Sequence, residues 1–152
     1  MRVPAIIVLL AVLAIAAAGC GGSTTTGTDE YQASVVRVRD RTDYALAQVT
    51  KSKTKEAFLD QMDASADLID AAADDFKSAG SADGFDDESE QLTKQLHQLA
   101  ADLAGTAAQI RTPGYAGLLD AKGLSFQSWV EINKILASLS KQGIAVEPLG
   151  RH

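Results

Sequence analysis

The stretch LTKQLHQLAADLAGTAAQI, residues 92–110, decides the fold. Leu92, Leu96, Leu99, Leu103 and Ile110, with Thr106 in the same register, follow one another by alternating steps of four and three. A helix of about 3.6 residues per turn gathers such positions into one stripe, whereas a strand would scatter them over both faces of a sheet. The same step runs upstream through Tyr31, Val35, Val38, Thr42, Ala45 and Val49, and then through Phe58, Met62, Ser65, Ile69, Ala72 and Phe76. A fourth set, Ser125, Trp129, Ile132, Leu136 and Leu139, lies downstream. Four amphipathic segments with one seam each predict an all-α domain over residues 29–143, an antiparallel four-helix bundle of up-down-up-down course.

Local punctuation places the helix ends. Lys51 and Lys53 sit where the first helix dipole ends negative, and Thr54 is suited to cap the second helix. Gly80 to Gly84 separates the second and third helices, and Asp86, Asp87 and Glu88 fill the positive first turn of the third. Thr112-Pro113 supplies a cap and a first-turn proline for the fourth, although Gly114, Gly117 and Gly123 weaken its start and predict a late beginning or a bend. Gly143 is placed to close that helix in a left-handed cap with Ile144 folding back on Leu139. The C-terminal tail is residues 144–152, and from Ala145 to His152 it is predicted to fray.

Charge and cysteine usage narrow the function. The formal net charge is -6, an excess that repels phosphate backbones and excludes nucleic acid as an expected partner. The chain has one cysteine, Cys20, so no disulfide within the chain supports the core.

The first residues read as an address. Arg2 and the amino terminus precede an apolar run from Ala5 to Ala18, the anatomy of a signal peptide over residues 1–19. Ala17-Ala18-Gly19-Cys20 resembles the bacterial lipobox, with Ala17 standing where leucine is the commonest residue. That resemblance covers only the export region, and it implies a lipoprotein: acylation of Cys20 with chains such as palmitate, cleavage before it, and an extracytoplasmic protein held to the bacterial membrane by its N-terminal lipid. Gly21 to Thr28 has no large apolar side chain and reads, with Cys20, as a flexible tether over residues 20–28.

The clearest polar pattern is Glu56, Asp60, Asp63, Asp67, Asp70 and Asp74, each two positions before a seam residue and therefore expected on the face turned away from the core. A solvated face is its first reading, and a docking strip for a basic envelope protein its second. Arg37 and Arg41, one turn apart on the first helix, are expected to pair with Asp40, Asp43 or this acidic neighbour. His97 falls beside seam position Leu96 and is expected to face water.

Catalysis is not expected. The residue three before His97 is Lys94, so the Glu-x-x-His spacing of di-iron bundles is missing, and no Cys-x-x-Cys-His offers a haem site. No nucleophile elbow or phosphate loop occurs, and no metal or cofactor is implied. The expected role is a noncatalytic interaction or cell-envelope function. The alternative is a ligand-binding lipoprotein that holds a small apolar molecule beside the small seam residues Thr42, Ala45, Ser65, Ala72, Thr106 and Ser125, or divalent cations on the acidic face. Trp129 is expected to be the largest core filler.

Overall fold

A computed structural model describes residues 27–113 and 126–150, and within them the chain is all-helical with no strand. The helices are α1 (Thr28–Val49), α2 (Lys55–Ala79), α3 (Asp86–Arg111) and α4 (Gln127–Lys141). Cys20, Ser125 and the glycines at 114, 117 and 123 lie outside the described residues.

Burial follows the periodic seams closely. Every seam position of α1 is buried, and so are Met62, Ser65, Ile69, Ala72 and Phe76 of α2 and Leu92, Leu96, Leu99, Leu103 and Ile110 of α3. Each fully buried leucine contributes about 2 kcal/mol over an exposed one, which makes α3 the main apolar support of the domain. Three positions differ from expectation. At the start of α2, Leu59 is buried and Phe58 only partly so; in α3, Ala107 takes the interior place and Thr106 is half-buried. Alanines at 66, 73, 100 and 107 are buried beside the seam, so the apolar stripe is broader than one residue per step. Trp129 is the third difference. It is half-buried, while the smaller Ser128, Ile132, Ile135, Leu136 and Leu139 fill the interior side of α4.

The helix ends obey capping chemistry where the sequence indicates it. Thr54 accepts a hydrogen bond from the Ala57 amide at 3.1 Å and opens α2. Thr112 is the C-cap of α3, in an extended conformation, and the fourth helix opens later, at Gln127 behind Phe126, rather than at Thr112-Pro113. Gly143 has φ +100°, and the Ile144 amide reaches the Leu139 carbonyl at 3.0 Å while the Gly143 amide reaches that of Ser140 at 3.2 Å. These two bonds are the Schellman closure expected from the sequence, and they turn the chain back on itself.

Beyond Gly143 the structure corrects the expectation of a frayed tail. Residues 144–150 have no regular secondary structure, yet Ile144 and Leu149 are buried. The reason is a gap. α1 packs on α2, α2 on α3 and α3 on α4, but among the described residues no Cα of α1 lies within 8 Å of a Cα of α4. The tail is bound to both helices instead, with hydrogen bonds to Gln32, Arg39 and Asp43 of α1 and Asn133 of α4. Its length matches the gap it lines: from Ala145 to Gly150 an extended chain spans about 16 Å, and from Gln32 to Asp43 a helix rises about 16 Å.

Candidate functional site

The acidic face of α2 is built by the same four-three step that builds its seam. Glu56, Asp60, Asp67, Asp70 and Asp74 are exposed and Asp63 is half-buried, so the stripe does face away from the core. It is not simply solvated, however. Arg111, at the end of α3, donates to Asp63 at 2.7 Å and to Asp60 at 3.4 Å. The Asp63 hydrogen bond, opposed by desolvation and joined by the charges of Asp63 and Asp60, raises the Arg111 pKa above its ordinary value.

His97 lies at the surface as expected, but it is engaged there rather than free in water. Its side chain is 36% exposed, with Nδ1 at 2.6 Å from Asp70 and Nε2 at 3.6 Å from Asp74. Two cationic or hydrogen-bonding groups of α3 thus cover four of the six stripe carboxylates, which lowers the self-repulsion of α2. Asp75, one residue beyond the stripe, pairs with Arg41 of α1. That pairing matches the expectation that Arg41 would serve an acidic neighbour. Sequence reasoning missed the partnership of His97 and Arg111 with the stripe, although a signal exists: the two stand two heptads apart on α3, the same period as the acids they meet.

Chemically this arrangement pairs charges across the α2–α3 surface. Both ring nitrogens of His97 are turned to carboxylates, so neither is directed at a hydroxyl to activate it. Among the described residues no group of three or more histidine, cysteine, aspartate or glutamate side chains converges to hold a metal ion. The carboxylates of Glu56 and Asp67 continue this band as exposed side chains.

The small seam residues pack tightly at the α1–α2 contact. The Ser65 hydroxyl donates to the Ala45 carbonyl of α1 at 2.8 Å, a distance available only when the two backbones approach closely. Thr42, Ala45, Ser65 and Ala72 are all buried, and Thr42 satisfies its hydroxyl on the Val38 carbonyl at 2.8 Å. Among the described residues no fully buried side-chain polar atom lacks a partner. An open surface depression of about 430 Å³ is lined by Trp129, Val130, Asn133, Lys134, Ala137, Pro148 and Leu149.

No family model, curated protein or solved structure matches this chain significantly. Among the described residues the fold and this face together define an all-α arrangement of four helices with an acidic outer band. Among the described residues no helix is long and apolar enough to cross a membrane.

Proposed function

We propose that the chain is a lipid-anchored extracytoplasmic helical protein that serves a noncatalytic interaction or cell-envelope role. The observation that carries this reading is Ala17-Ala18-Gly19-Cys20 after the apolar run, followed within eight residues by the first turn of α1 at Thr28. Two or more acyl chains on Cys20, at roughly 0.8 kcal/mol per buried methylene, hold such a domain to the bilayer stably. The seven intervening residues, fully extended, limit the separation to about 25 Å.

The domain presented there is an up-down-up-down bundle. Support comes from the order of the cross-helix pairs: Tyr31 with Phe76 and Ala45 with Ser65; Asp63 with Arg111 and Asp70 with His97; Glu88 with Gln142 and Asp102 with Ser128. In each set the residue numbers rise on one helix as they fall on the other, as antiparallel neighbours require. The exposed acidic band on α2 suits a basic patch on an envelope protein, an association that salt weakens.

Membrane fractionation of Cys20→Ser against the native sequence tests the anchor. The serine variant is expected in the soluble fraction, and the native protein is expected to carry acyl mass at its new amino terminus. Native protein with an unmodified thiol, or with residues 1–19 still attached, overturns the reading.

A further inference from the structure

The turn between α2 and α3 brings a carboxyl and an amide together in a setting that no other described aspartate shares. Asp83-Gly84 is the only Asp-Gly pair in the sequence, and every other described aspartate lies within a helix. The Phe85 amide donates to the Ala82 carbonyl at 3.0 Å, and Gly84 has φ +85° while no described residue other than glycine has a positive φ. These values define a type II turn with Asp83 and Gly84 as its central pair. Both residues are exposed, and a side chain at Gly84 would meet nothing within 4 Å.

The flanking residues are held while the pair is not. Ser81 donates to Asp86, and the Phe85 carbonyl accepts from the Ser89 amide at 2.9 Å and the Ser89 hydroxyl at 2.7 Å. Among the described residues no hydrogen bond or ion pair engages the Asp83 carboxylate or the Gly84 amide. A β-carboxyl and the next amide nitrogen are one ring closure from a five-membered imide. A side chain on the following residue crowds that nitrogen, and glycine has none. The turn holds the backbone away from the closing geometry, but one backbone bond closes it, whereas a helical aspartate must release several.

We propose that Asp83 is a site of spontaneous isomerisation to isoaspartate. The Gly84 nitrogen attacks Cγ of the protonated Asp83 carboxyl; the N–Cγ bond forms, the Cγ–OH bond breaks, and the hydroxyl leaves as water with the hydrogen of the nitrogen. Water then adds at the main-chain carbonyl carbon of Asp83 and the bond from that carbon to nitrogen breaks, with hydroxyl kept by the carbon and hydrogen returned to the nitrogen. One water is lost, one is gained, and nothing is oxidised or reduced. The chain now runs through Cγ, one carbon longer, and the former main-chain carbonyl is a free carboxylate. That added carbon displaces Phe85, whose ring lies 5.2 Å from that of Tyr31, and opens the turn bond. The site rests on the α2–α3 turn and is independent of the lipid anchor.

Peptide mapping of the full chain, aged for weeks at 37 °C and pH 6, tests it. Isoaspartate is read by enzymatic methylation and by lost cleavage before residue 83 with an aspartate-specific protease. Conversion at Asp83 is expected to exceed that at any helical aspartate by at least about tenfold, because those sites open far less often. Asp83→Glu keeps the charge but requires a six-membered ring, and it should abolish methylation in this turn. The Phe85 amide should exchange hydrogen faster in aged than in fresh native protein, with the middle of α3 unchanged. Absence of conversion at Asp83 under conditions that convert a free peptide of residues 80–87 overturns the proposal. Equal conversion at helical aspartates, or undiminished methylation of the turn in Asp83→Glu, overturns it as well.

Discussion

The α2–α3 seam and the α1–α4 edge close the same domain by different physics. Between α2 and α3 a ladder of leucines meets Met62, Ile69 and Phe76, and the charged groups outside it, Arg111 and His97 against the acidic stripe, are exposed additions. Between α1 and α4 the helices stand apart, and the strap of residues 144–150 fills the space with two aliphatic anchors and side-chain hydrogen bonds to its backbone. The difference teaches where each kind of interaction is strong. Apolar burial is cumulative and tolerant of polar change, whereas a strap without its own ladder depends on a few directional bonds.

The comparison can be broken first at its strongest point. Leu99→Ala should cost about 2–5 kcal/mol in urea denaturation, because Leu99 is wholly buried and a cavity is left in the seam. A loss below about 1 kcal/mol would place the main support elsewhere. Leu149→Ala should cost less, about 1–2 kcal/mol, since the open depression lies along one side of the strap. Hydrogen exchange sharpens the contrast: this variant should speed the amides of Ala145, Leu149 and Gly150 far more than those of α3. Arg39→Ala follows, at about 1–2 kcal/mol for two charge-assisted bonds to Pro148, read in the same denaturation experiment.

A smaller effect belongs to pH. Burial raises the pKa of Tyr31 above 10.0, against an opposing hydrogen bond with Ser89 and with help from the charges of Glu88 and Asp86. Because the folded value lies above that of the unfolded chain, the stability it contributes is complete below the ordinary tyrosine range and is lost as pH rises through the folded value. Denaturation midpoints should therefore fall at alkaline pH, and Tyr31→Phe should flatten that fall. The smallest change is expected for Arg111→Ala, whose exposed ion pairs are screened by salt, so its midpoint should coincide with the native one at high ionic strength.

Much of the interior was legible from spacing alone because burial in a helix repeats. Leu92, Leu96, Leu99 and Leu103 name each other by their intervals, and Gly143 with Ile144 announces a closure that needs only local residues. Trp129 shows the limit of that logic. Its register placed it inside, but neighbouring Ser128 takes the interior position and bonds Asp102 of α3 at 2.6 Å, which turns the tryptophan toward the surface. The acidic band was legible as a face, while the two α3 side chains that cover part of it depend on how the helices align. Identification of Cys20 rests on the sequence throughout, since that residue lies outside the described region.

By itself the sequence determined the helical state, four seams, the caps at Thr54 and Gly143 and the outward stripe of α2, because each arises from residues within a turn or two of one another. Only the tertiary structure decided the fate of residues 144–150. Their partners Gln32, Arg39 and Asp43 lie more than one hundred positions away, and the space they fill exists only where α1 and α4 fail to meet. No local period encodes a gap between two distant helices, so a segment that looks free in the sequence becomes the piece that closes the fold.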